Sequence, residues 1–148
     1  MNKFVNAFMV IGLSVFGAPV VVAAPLVTPQ EAKLPAAGGA LTTRGIARGP
    51  GIKVVSPDVA GPDIKGPFDL KVKFESRGGK KIDPAAVKVT YLKATDVDLT
   101  ARLKGAINED GIDFAKAEVP PGEHSFRISV KDVEGRESST VMNLVVTK

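Results

Sequence analysis

One imidazole, no thiol and a scatter of carboxylates are the reactive groups this chain of 148 residues offers. A Ser-His-Asp arrangement or a histidine-ligated metal would have to use His124, the single histidine. Placed just before a strand pattern, that ring is expected to pack or to bond to backbone rather than to act as a base. The absence of cysteine excludes disulfides, thiolate zinc sites and cysteine nucleophiles. Asp96 and Asp98, with Asn108, Glu109, Asp110 and Asp113, are oxygen donors of the kind loops gather around calcium. Their spacing matches no calcium-loop signature, and Asn108-Glu109-Asp110-Gly111 already reads as a turn. Asp96, Asp98, Asp110 and Asp113 therefore stand as candidate ligands in an alternative reading, a calcium- or metal-stabilised accessory domain. Nothing in the sequence raises the pKa of one of these acids or builds a pocket around a pair, so no catalytic residue and no enzyme is expected.

Cationic chemistry is weighed the same way. Lys71, Lys73, Lys80, Lys81, Lys88 and Lys93 could share an outer sheet face and attract an acidic glycan, lipopolysaccharide or nucleic acid. Asp69 and Glu75 interrupt that face, and the formal net charge is only +4. Nucleic-acid readers interleave aromatics for stacking, whereas Tyr91 is the single Tyr, expected to point inward, and Trp is absent. A solvated face is the expectation, with no nucleic-acid partner and no cofactor, and with no stacking platform for carbohydrate.

The elements that must position these groups begin after an export signal. Lys3 supplies a positive end, residues 4–22 are apolar apart from Asn6 and Ser14, and Val21-Val22-Ala23 offers small residues to a signal peptidase. Cleavage is expected after Ala23, since a cut after Ala24 would leave Pro25 next to it. Gly12, Gly17 and Pro19 weaken the apolar run as a spanning helix, so a membrane association is expected only if the signal stays uncleaved. The setting is then periplasmic or secreted. Residues 24–50, rich in Pro, Ala, Gly and Thr, have no sustained apolar period and read as a flexible linker.

Residues 51–148 read as the folded domain. Ile52-Lys53-Val54-Val55 is a short strand closed by Ser56-Pro57. Phe68, Leu70, Val72 and Phe74 then alternate with Asp69, Lys71, Lys73 and Glu75, a strand with one dry and one wet face. After the Arg77–Lys81 turn, Ile82-Asp83-Pro84 leads into a third strand in which Val87, Val89 and Tyr91 face in and Lys88, Thr90 and Leu92 face out. For residues 96–104 a short strand carrying Leu99, Ala101 and Leu103 on one face is favoured over a helical turn begun at Asp98. Ile112, Phe114, Ala117 and Val119 form another strand, bulged near Ala115-Lys116. Phe126, Ile128 and Val130 alternate with Arg127, Ser129 and Lys131, Asp132-Val133-Glu134-Gly135 reverses the chain, and a last strand runs over 138–147. About seven strands with no long helix predict an all-β sandwich.

The run 119–132 followed by Glu134-Gly135-Arg136 resembles the final hairpin of bacterial immunoglobulin-like and fibronectin-type-III-like domains: a Pro/Gly turn, a His or Tyr, an alternating strand, then Asp and Gly in the last turn. The resemblance extends more weakly over 52–91 and implies an immunoglobulin-like antiparallel sandwich. It also implies a role for His124 like that of the corner Tyr of related sandwiches, whose side chain bonds to backbone. In the last strand Met142, Leu144 and Val146 can face the core, yet Val141 and Val145 on the other side are apolar too. Those two are the candidate partner contact. The expectation is an exported, non-catalytic binding or structural accessory module of the cell envelope, monomeric or weakly associating. It would meet an envelope or surface protein through end loops or this final strand.

Overall fold

In the computed structural model, which describes residues 24–38, 48–61 and 63–148, the alternating stretches are paired strands. The expected signal peptide, 1–23, lies outside the described residues, as does the 39–47 part of the expected linker. The strands are β1 (Ala24–Pro25), β2 (Gly51–Ser56), β3 (Ile64–Lys65), β4 (Phe68–Glu75), β5 (Lys88–Tyr91), β6 (Val97–Asp98), β7 (Ile107–Asn108), β8 (Gly111–Glu118), β9 (Gly122–Lys131) and β10 (Glu137–Thr147). Two four-residue helices, α1 (Pro29–Ala32) and α2 (Thr100–Leu103), accompany them.

The strands form a β-sandwich of two sheets. One has the order β1-β8-β4-β2, with β7 also on β8; the other has the order β3-β10-β9-β5-β6. Phe68, Leu70, Val72, Phe74, Ile112 and Ala117 from the first sheet enter one apolar core with Val89, Tyr91, Phe126, Ile128, Val130, Met142, Leu144 and Val146 from the second. A one-residue slip of β9 would exchange Phe126, Ile128 and Val130 for Arg127, Ser129 and Lys131. Each large apolar side chain so lost would forfeit about 1.5–3 kcal/mol, which pins the register.

The bulge expected near Ala115-Lys116 is present. Between Leu70↔Phe114 and Phe68↔Ala117, β8 spends one more residue than β4, and Lys116 has a φ of 53°. Its N–H is taken by the Asp69 carboxylate at 3.0 Å. Residues 96–104 differ from the favoured reading. Only Val97 and Asp98 pair as strand, and Thr100–Leu103 is one helical turn. Leu99 and Leu103 are fully buried four residues apart while Ala101 is exposed, a helical spacing. Asp98 competes for the local backbone by accepting the Thr100 N–H at 2.8 Å, which turns the chain. Leu92, expected on the wet face, is buried.

The first part of the expected linker is docked. Leu26 and Val27 are 1% and 2% exposed within the core, and β1 runs parallel to β8 with Ala24 opposite Ala117. Two adjacent apolar residues enter the core at the sandwich end, an arrangement that carries no sequence period.

Candidate functional site

His124 stands second after Gly122 in β9, where Gly122 follows the Pro120-Pro121 turn and the strand pleat sends residue 124 inward. Its Nε2 lies 2.7 Å from the Pro120 carbonyl, which can only accept, so Nε2 carries the hydrogen and donates. Nδ1 is then the acceptor for the Tyr91 hydroxyl at 2.8 Å. Burial pushes the His124 pKa down, and the nearby Lys93 charge adds to it against the opposing bond to Pro120. The Lys93 Nζ sits 5.1 Å from the Tyr91 ring centroid and donates to the Ala32 carbonyl at 3.1 Å. Both ring nitrogens of the imidazole are thus engaged, and it is buried against Tyr91 and Phe126. This is the backbone-bonding role expected from the sequence.

The four candidate ligands are dispersed. Asp98 lies on β6 of one sheet with its carboxylate on Thr100, whose bond holds its pKa below the usual range. Asp96 is exposed just before β6. Asp110 sits in the turn before β8 of the other sheet, where Asn108 accepts its N–H and that of Gly111, and Asp113 is exposed on β8 opposite Lys71. Among the described residues no three His, Asp or Glu side chains gather where they could hold a metal ion.

The lysines do not form one face either. Lys71 and Lys73 project from β4, and Lys88 from β5 in the other sheet. Lys80 pairs with Glu134 at 2.8 Å and Lys81 approaches Glu109 at 3.8 Å. At the end of the sandwich an open hollow of about 440 Å³ is lined largely by Pro25, Val27, Pro67, Pro120, Pro121 and Val146. Its lining offers packing and little chemistry.

One polar cluster escaped the sequence reading, and a second was read there only as a turn. Arg102 of α2 grips Glu31 with both terminal nitrogens, at 2.8 and 2.6 Å, and donates to the Leu26 carbonyl at 2.8 Å. The Arg102 side chain holds the Glu31 carboxyl down at about 2. Thr28 and Glu31 also form a reciprocal capping box at α1, a signal that Thr28-Pro29-Gln30-Glu31 did carry in the sequence. In the last turn the buried Asp132 accepts from the N–H groups of Glu134 and Arg136 and from the Arg136 Nε at 2.7 Å. Burial alone would raise its pKa, and these bonds outweigh it.

The candidate contact strand keeps one partly exposed apolar face. On β10, Met142, Leu144 and Val146 are buried, Val141 is half-buried and Val145 is 44% exposed. On one side β10 pairs with β9 from Glu137 to Val146; on the other, β3 covers only Val146 and Thr147. Among the described residues, then, the outer edge of β10 from Glu137 to Val145 has no hydrogen-bonded strand, although β2 passes close to it and Gly49 packs on Glu137 and Ser138. No protein-family model matches the chain, and no curated protein or solved structure matches it.

Proposed function

We propose that this chain is an exported, non-catalytic binding module of the cell envelope, built as an immunoglobulin-like sandwich, that meets a protein partner through its final strand. Three features support the immunoglobulin-like assignment. A three-strand path β8-β4-β2 faces the path β10-β9-β5-β6. The opening of the domain divides between the sheets, β2 pairing with β4 and β3 running parallel to β10. At the start of β9, His124 bonds to a carbonyl four residues upstream, as a corner Tyr does. The export signal supports the location.

The observation that carries the binding role is the open β10 edge bearing Val141 and Val145, since an unpaired edge is a ready template for another strand. The test is cross-linking in intact cells followed by recovery of the full chain. A partner whose cross-links map to β10, and which a Val141→Lys variant fails to recover, is the expected result. Cross-links confined to other surfaces, or a chain recovered only as an uncross-linked monomer, would overturn the reading.

A further inference from the structure

Among the described residues the sandwich blunts its strand edges except that of β10. β1, β3, β6 and β7 are two residues long, β3 carries Lys65 with Pro67 close behind, and β6 carries Asp98. β2 carries Lys53 and a register shift between Val54 and Ser56. Short length, charge, proline and bulges are the devices that keep edges from pairing. β10 has only Glu137 at its start: from Ser138 to Thr147 it contains no charged residue, proline or glycine, and its pairing with β9 is unbroken.

The open stretch is framed at both ends. Gly49 lies against Glu137 and Ser138, so close that an added Cβ would stand 2.7 Å from the Ser138 Oγ. At the other end Asp58, Val59, Gly61 and Asp63 share a small hollow with Asn143 and Val145. Val141 is the midpoint between Glu137 and Val145.

We propose that a second copy of this chain occupies the edge, β10 pairing antiparallel with β10 of the copy about a two-fold axis at Val141. The proposal rests on the reading of β10 as the contact strand and names its partner. In that register Val141 meets its own counterpart and Ser139 meets Asn143, whose amide oxygen is already taken by Ser125 at 2.7 Å, leaving its NH₂ to donate. Glu137 comes opposite Val145, so no like charges face each other. The frame is complementary as well: exposed Arg48, next to Gly49, comes beside Asp58 and Asp63 of the copy. An isologous contact of this kind closes on itself and exposes no new edge at the axis.

Sedimentation velocity on the full chain, purified as the cell makes it, tests the pairing. The mass is expected to rise from monomer to dimer with concentration below about 1 mM, the weak end suited to a short contact. Val141→Lys and Val141→Glu each set like charges face to face across the axis, and each is expected to raise the midpoint at least about tenfold. An equimolar mixture of the two variants restores association, which also shows that both are folded. A control, Val55→Lys at an exposed position on β2, leaves the midpoint unchanged. A chain that stays monomeric throughout, or a mixture that does not recover, overturns the second copy as occupant. If another protein's cross-links to β10 persist in cells while the chain sediments as a monomer, this proposal fails and the contact strand stands.

Discussion

Tyr91 and His124 form a buried polar pair whose single arrangement has a pH signature. In the folded chain His124 donates from Nε2 and accepts at Nδ1, so protonation would put a second donor against the Tyr91 hydroxyl. The folded pKa is depressed by burial below the ordinary 6.5, so the unfolded chain takes up the proton first as pH falls. The stabilisation is fully present above 6.5 and is lost as pH drops through that value toward the folded pKa. Denaturation midpoints are expected to fall from pH 7.5 to pH 5 in the native protein. In His124→Phe that slope flattens, and about 1–3 kcal/mol is lost at pH 7.5 because the Pro120 bond and the acceptor for Tyr91 are gone. An unchanged slope in the variant would show that the imidazole is not the titrating group.

At the scale of elements, the docked segment around α1 is held by apolar insertion and by two cations, Arg102 and Lys93, the latter through the Ala32 carbonyl. Leu26 and Val27 are buried, and Arg102 ties Glu31 and the Leu26 carbonyl to α2. Leu26→Ala is expected to cost about 2–4 kcal/mol in chemical denaturation, the range for truncating a buried Leu. A loss near that of a surface substitution would mean the segment is an appendage. Arg102→Ala, at a partly buried pair, is expected to cost about 1 kcal/mol. Its clearer readout is faster amide hydrogen exchange at Leu26, Ala32 and Leu34, whose N–H groups bond to Glu118, Thr28 and Glu31. The sequence foresaw β4, β9, β10 and the β8 bulge because each is written in a run of alternating residues. It missed this segment because two buried neighbours at a sandwich end leave no period, and it left the α2 turn as the less favoured alternative because Leu99 and Leu103 fit a strand until Asp98 turns the backbone.

For the whole molecule, the carboxylates set the acid limit of stability. Glu31, held at about 2 by Arg102, and Asp132, held below its ordinary value by the Arg136 and Glu134 bonds, are both depressed in the folded chain. Their contribution is present above the unfolded values of 4.5 and 3.8 and is lost as pH falls toward the folded ones. A thermal-midpoint profile is therefore expected to drop steeply below about pH 4.5, separate from the histidine slope above it. Glu31→Gln should shift the onset of that drop to lower pH, and an unmoved onset would remove Glu31 from the account. The alternation of Phe68 to Phe74 and of Phe126 to Val130 by itself determined two half-buried strands, and the Asp132 to Gly135 cluster determined the reversal between β9 and β10, because pleat and turn chemistry are local. Only the tertiary structure decided that Glu31 finds Arg102 across 71 residues, that the candidate acids lie apart, and that among the described residues most of one β10 edge has no hydrogen-bonded strand. Those outcomes depend on which strands become neighbours, and strand order is settled by packing the whole core rather than by any one segment.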